Sequence, residues 1–278
     1  MKTISYTLLA LLAFAGNSVL CRLALATGEA DALGFTAVRL ISGAVVLMVL
    51  MLIRYNDTAK DKSSWTQQWI PAVMLLGYAL GFSYAYNSLS TGAGALILFA
   101  SVQITMMVGG LMKGHQPNGF EWLGMVLASS GLLYWLWPLW GQPGLIGLLL
   151  MCFSGFCWGV YSLWGQKTKD PIKATALNFI LTVPFLVLLM MWQWPSVEIT
   201  DKGALFAVVS GALTSALGYV LWYAVLPKLR AVQAAVLQLT VPILAALGGL
   251  LWSKEPITPT LFIATILVFS GVLLTQKK

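Results

Sequence analysis

The chain has 278 residues, of which 59% are apolar and 9% charged, with 16 Lys and Arg against 9 Asp and Glu. Soluble domains carry roughly 25% charged residues, so this composition cannot clothe a water-facing surface. The net charge of +7 is spread over short segments and forms no dense basic cluster, which argues against nucleic acid as a partner.

Apolar runs of about 20 residues are long enough to cross ~30 Å of hydrocarbon as helices. Ten are predicted, at 4–25, 33–54, 69–89, 92–112, 120–138, 144–165, 173–193, 203–225, 231–251 and 259–276. The first follows Lys2 and has the outline of a signal peptide, with Ala24-Leu25-Ala26 as a cleavage site. Its counterpart around Gly159 favours its retention, and it carries Asn17 in mid-span. The second carries Arg39 and Gly43. On the third, Tyr78, Phe82 and Tyr86 are four residues apart and share a helical face. Gln103 is central in the fourth, and Gly124 and Ala128 give the fifth a small-residue face for close packing. The sixth brings Trp158 and Tyr161, and the seventh Asn178 and Pro184. The eighth brings Tyr219 and Tyr223, the ninth Gln238 and Pro242.

Cations set the orientation. Lys2, Arg54, Lys60, Lys62, Lys113, Lys167, Lys169, Lys173, Lys228, Arg230, Lys277 and Lys278 fall on one side of the ten-span scheme. Arg22, Lys202 and Lys254 fall on the other. The positive-inside rule then predicts both termini in the cytoplasm.

The chain also repeats itself. Ala79-Leu80-Gly81-Phe82 returns as Ala216-Leu217-Gly218-Tyr219, Gly109-Gly110-Leu111-Met112 as Gly248-Gly249-Leu250-Leu251, and Ser130-Gly131-Leu132-Leu133 as Ser270-Gly271-Val272-Leu273. The offsets are 137, 139 and 140 residues, which predicts two five-helix repeats over 1–140 and 141–278 within one membrane domain. An odd number of spans per repeat inverts the second copy, a transporter design with its site near mid-membrane. Under this pairing Pro184 matches Gly43, Pro242 matches Gln103, and Tyr223 matches Tyr86. Pro184 and Pro242 free the carbonyls of Ile180 and Gln238, so Gly43, Pro184 and Pro242 read either as packing kinks or as hinges.

Polar groups inside the spans are few. A central arginine costs roughly 2.5–3.5 kcal/mol on insertion scales. Arg39 reads either as snorkelling outward to Glu29 or Asp31, or as receiving a carboxylate or phosphate in a cavity. Gln103 and Gln238 read equally as interhelical glue or as substrate ligands. Glu29, Asp31, Glu198, Asp201 and Glu255 lie outside the spans on one side; Asp57, Asp61, Glu121 and Asp170 lie outside on the other. A proton relay on an embedded acid is therefore disfavoured. The single histidine, His115, cannot complete a Ser-His pair or a multi-histidine metal site, so no enzyme, cofactor or metal is expected. Cys21, Cys152 and Cys157 lie in spans and read as small hydrophobes. Trp65, Trp69, Trp122, Trp137, Trp140, Trp192, Trp194 and Trp252 lie at span ends and read as interfacial anchors.

Ten spans, the internal repeat, and the order Pro242, Gly248-Gly249, Glu255-Pro256 and Gly271 resemble the drug/metabolite transporter superfamily and, within it, the EamA-type exporters. The chain departs from the family pattern where Ala15-Gly16 stands opposite Trp158-Gly159, and where Gln116-Pro117 replaces a Glu. The resemblance implies an all-α protein of a bacterial inner membrane, a monomer or homodimer, with the fifth and tenth helices at the periphery. It implies export of small amphipathic metabolites such as amino acids by alternating access. A multidrug, nucleobase or organic-anion carrier of the same fold is the alternative, and a non-transporting assembly subunit a more distant one. The candidate substrate ligands are Asn17, Arg39, Tyr78, Phe82, Tyr86, Gln103, Trp158, Tyr161, Tyr219, Tyr223 and Gln238.

Overall fold

A computed structural model describes residues 2–54, 68–137, 144–194, 197–253 and 259–275. Lys60, Lys62, Lys254, Lys277, Lys278, Asp57, Asp61, Trp65, Trp140 and the Glu255-Pro256 pair lie outside them. In chain order the helices are α1 (Lys2–Ala26), α2 (Ala32–Ile53), α3 (Trp69–Tyr86), α4 (Thr91–Met112), α5 (Gly119–Leu136), α6 (Leu145–Gly165) and α7 (Pro171–Gln193). After them come α8 (Asp201–Val209), a π-helix (Ser210–Leu217), α9 (Gly218–Val225), α10 (Ala231–Gln238), α11 (Val241–Ser253) and α12 (Pro259–Thr275). Among the described residues the only extended pairing is one isolated bridge between Ala30 and Ile199.

The starts of these helices are written in the sequence. Asp31 caps α2 by accepting the amides of Leu33 and Gly34 at 2.9 and 3.0 Å. Asp170 does the same for Ile172 and Lys173, both at 3.1 Å, ahead of Pro171. Proline fits there because the first helical amide has no partner within the helix. Asn118 and Glu121 form a capping box on α5, their reciprocal bonds 2.8 and 3.0 Å long. The chain leaves α1 and α4 through Gly28 and Gly114, whose φ values of 69° and 80° suit glycine.

Eight helical segments among the described residues are long and apolar enough to cross a membrane: α1 to α4, α6, α7, the stretch Asp201–Lys228 and the stretch Ala231–Trp252. The helices α5 and α12 fall outside that set. They pair with each other more extensively than any other two elements do. A Cβ on Gly124 would stand 2.5 Å from the Gly271 carbonyl, and one on Gly271 would stand 2.8 Å from the Ala128 methyl. These small residues bring the two backbones together. Elsewhere the packing is reciprocal. The helix α6 lies against α3 and α4, while α1 lies against the π-helix, α9 and α11. The helices α2 and α7 cross beside them.

The prolines behave differently from each other. Pro184 sits inside an unbroken α7. Pro242 follows a break, since α10 stops at Gln238 and α11 restarts at Val241. Gly43 is a point of close approach, where a Cβ would meet the Phe179 ring at 2.6 Å and the Gly211 carbonyl at 3.1 Å. The π-helix in the predicted eighth span is new. It lies where Gly211 presses on the Arg39 carbonyl and the Ser42 hydroxyl of α2, and wide turns of this kind often mark functional segments.

Candidate functional site

Most of the polar and aromatic residues singled out from sequence converge in the middle of the bundle. Asn17 of α1 is their hub. Its Oδ1 accepts from Ser210 Oγ at 2.6 Å and from Arg39 Nη1 at 3.3 Å, and its Nδ2 donates to the Tyr78 hydroxyl at 3.0 Å. The Tyr219 hydroxyl donates to the Tyr78 hydroxyl at 3.1 Å, so α1, α2, α3, the π-helix and α9 share one network. In a low-dielectric interior such networks hold their members rigidly when every partner is present.

Rings form the second component. A column runs Tyr86, Phe82, Tyr78, Trp158, Tyr161, Tyr223, with successive centroids 4.7, 5.3, 4.9, 5.3 and 4.8 Å apart. Trp158 stands fourth of the six, stacked on Tyr161 at an interplanar angle of 25° and 4.7 Å from Tyr219. The Trp158 indole donates to Gln238 Oε1 at 2.6 Å, and Gln238 Nε2 donates in turn to the Ala234 carbonyl at 3.2 Å. The column's ends are tied to backbone: Tyr86 donates to the Thr91 carbonyl at 3.2 Å and Tyr223 to the Tyr161 carbonyl at 3.1 Å.

Arg39 is fully buried. Its Cζ lies 5.9, 5.7 and 5.4 Å from the ring centroids of Phe35, Tyr78 and Phe82. Of the two readings left open for Arg39, the outward pairing with Glu29 or Asp31 is not formed among the described residues. Asp31 is engaged as the α2 cap, and Glu29 pairs with Lys202 at 3.0 Å. An inward-facing guanidinium on this helix reaches Asn17 and not the headgroup side.

Gln103 is not brought to this cluster. It faces α5, where Oε1 accepts from Ser129 Oγ at 3.0 Å, in a lateral groove of about 290 Å³ lined also by Ile104, Met107 and Val126. Sequence reasoning passed over Phe14, Phe35, Ser210 and Phe179. Phe14 meets the rings of Trp158, Tyr219 and Trp222 edge-on at 5.1, 5.8 and 5.6 Å. It stands three residues before Asn17, and Phe35 stands four before Arg39, so a one-turn search around each polar residue finds both. Ser210 carries no such signal, because its aim depends on the π-helix.

Polar contacts also join the connections at both ends of the bundle. At one end, Asp31 donates its amide to the Glu198 carbonyl and Thr200 its amide to the Glu29 carbonyl, each at 2.8 Å. The Thr200 hydroxyl and then Lys202 hold the Glu29 carboxyl below its ordinary value. At the other end, Glu121 meets Arg230 at 3.1 Å and His115 at 3.4 Å, and Gln166 donates to the Leu229 carbonyl at 3.2 Å. Burial, then the neighbouring Lys167 charge, lowers the Lys113 ammonium there.

Comparison with known proteins agrees with a carrier of this build. The model of the EamA-like transporter family matches residues 1–137 and again 145–276. An uncharacterised Pseudomonas aeruginosa protein, PA1977, is 44% identical over 98% of this chain and 94% of its own length. The threonine/homoserine exporter RhtA of Escherichia coli K12 is 27% identical over 88% of this chain and 83% of its own. A solved crystal structure with 19% identity superposes with a TM-score of 0.77, covering 97% of this chain and 95% of that one, and shares its fold. With many apolar helices and both halves matched, the chain is a multi-pass membrane protein that belongs to the EamA-like transporter family.

Proposed function

We propose that the chain exports small amphipathic metabolites, amino acids or compounds like them, across a bacterial inner membrane by alternating access. In this reading α5 and α12 complete ten spans, and 1–140 and 141–278 are inverted five-helix repeats with both termini cytoplasmic. The reciprocal packing of α1 and α6 supports it, as do the two family matches. The observation that carries the function is the central cluster. Asn17, Arg39 and Tyr78 come from one half, Trp158, Tyr161, Tyr219 and Gln238 from the other, and polar contacts join the connections at both ends of the bundle.

Transport then consists of opening one closure while the other holds, with substrate between the ring walls. The Leu239–Thr240 break beside Pro242 is the joint assigned to this motion, and Gly43 sits against Phe179 where α2 and α7, the helix that carries Pro184, slide past each other. The exporter name of RhtA makes amino acids the first compounds to try.

Purified protein in proteoliposomes should give amino-acid flux that saturates with concentration. Linear flux, or none with any amphipathic metabolite, would remove the carrier reading. Reporter fusions after Lys62, Lys113, Lys169 and Lys278 should all report cytoplasm, and a periplasmic signal at any one of them breaks the ten-span topology.

A further inference from the structure

Arg39 is the only basic side chain among the described residues that is fully buried. A guanidinium stays charged at any pH a protein survives, and a buried charge is unfavourable unless it is paired. Its bond to Asn17 uses Nη1, while Nε and Nη2 have no hydrogen-bond partner. The rings of Phe35, Tyr78 and Phe82 stand within 6 Å of its Cζ and offset part of the cost. No described carboxylate neutralises it, since Asp31 caps α2 and Glu29 holds Lys202.

The two unpartnered nitrogens are adjacent on one edge of the guanidinium plane. That edge presents parallel N–H donors at the spacing of the two oxygens of a carboxylate. The donors sit next to Tyr78, whose ring is 4.9 Å from Trp158 and 6.4 Å from Tyr219. An anionic head at Arg39 therefore has an apolar wall immediately beside it.

Resting on the carrier reading above, we propose that the substrate supplies the counter-ion of Arg39. It carries one carboxylate, bound bidentately by Nε and Nη2, with its apolar remainder along Tyr78, Trp158 and Tyr219. Asn17 and Ser210 position the guanidinium through their shared contact at Asn17 Oδ1. Two kinds of compound share this chemistry. A zwitterionic amino acid would set its ammonium against the faces of Trp158 and Tyr161, and a simple organic acid would present only the carboxylate.

The test uses the purified full-length protein and two matched sets of probes. One set is leucine, 4-methylpentanoate, leucinamide and 3-methylbutylamine; the other is the phenylalanine series of the same four types. Thermal stabilisation by the compounds that carry a carboxylate, and not by the amides and amines, is the expected result, because only a ligand of the native state raises its apparent stability. Arg39→Gln should weaken binding of the acids about ten- to a hundredfold, the range for loss of hydrogen bonds to a charged group. Arg39→Lys, which keeps the charge and loses the fork, should fall between. Without ligand, Arg39→Gln should melt no lower than the parent, since it removes an unpaired charge; a merely structural arginine would give a lower melting point. In proteoliposomes an imposed membrane potential should alter flux of 4-methylpentanoate, which carries one net charge, and leave leucine flux unchanged, which tells the two kinds of substrate apart. Amides or amines that stabilise the parent as well as the acids do would overturn the carboxylate assignment and leave the carrier standing. Silence from all eight compounds would also overturn the carboxylate assignment, and the flux measurement described above then decides the carrier reading by itself. Should Arg39→Gln fail to fold, the parent's response to the eight compounds decides alone.

Discussion

Gln238→Leu is the sharpest probe of the central cluster. Gln238 is buried, and its Oε1 is the acceptor for the indole N–H of Trp158 at 2.6 Å. Trp158 is only 2% exposed, so water cannot replace that acceptor. A buried donor left unpaired costs about 1–3 kcal/mol, whereas side-chain hydrogen bonds between membrane helices average about 0.6 kcal/mol and reach about 1.7. The distance and burial here place the loss where the two ranges meet, about 1–2 kcal/mol. At roughly 2–4 °C per kcal/mol for a large domain, the melting point in detergent should drop by about 2–8 °C. Trp158→Phe removes the donor instead, so the double variant separates this bond from other effects of either change. Leucine at 238 should cost less by about 1 kcal/mol when residue 158 is already phenylalanine. Single costs that add to within about 0.5 kcal/mol, as independent sites do, would refute the claim that the indole and the amide act as one unit.

Other consequences follow from the same packing. Gln103→Leu gives up one bond from Ser129, about 0.6 kcal/mol, and removes a buried Nε2 that has no partner; the two effects offset, so melting should stay close to the parent and proteoliposome flux should be unaltered. Gly124→Leu forces a side chain into the Gly271 carbonyl and the Thr275 side chain, and overpacking of this sort costs about 1–3 kcal/mol; Gly119→Ala, where a Cβ meets nothing within 4 Å, should melt like the parent. Because the Glu29 carboxyl is held below its ordinary value of 4.5, its contribution is present above that pH and is lost as pH falls through the lowered value. In Glu29→Gln the acid side of a melting-against-pH curve should therefore flatten relative to the parent, and identical curves would show that the Thr200 and Lys202 contacts add nothing in solution.

Helix positions are legible in this sequence because hydrocarbon leaves so little choice. Ala32–Ile53 answers the predicted 33–54, Thr91–Met112 the predicted 92–112, and Pro171–Gln193 the predicted 173–193. Within those helices, the direction of a side chain is harder to read. Gln103 and Gln238 look alike as lone amides in mid-span, yet one meets Ser129 and the other Trp158. The difference is rotation about the axis, which an almost uniformly apolar helix does not encode. The prolines show the same limit, since only the one at 242 follows a break in the helix. Arg39 was open between outside and inside because helix depth alone allows both, and the partner that draws it inward sits on a different helix. The π-helix leaves no mark in composition, and with it Ser210 escapes notice.

The pairing of Ala30 with Ile199 has a consequence for genetics. Its two bonds join main-chain amides and carbonyls on the loops that follow α1 and α7. Nineteen of the twenty amino acids supply those groups equally, so this closure is shielded from nearly every missense change. A scan with alanine through these loops will register the carboxylate and hydroxyl contacts and miss the backbone pair beneath them. Only proline takes a bond from it: Thr200→Pro deletes the donor to the Glu29 carbonyl, while Thr200→Val, equally deprived of the hydroxyl, keeps it. The gap between those two variants isolates what the peptide groups themselves contribute to holding that end shut.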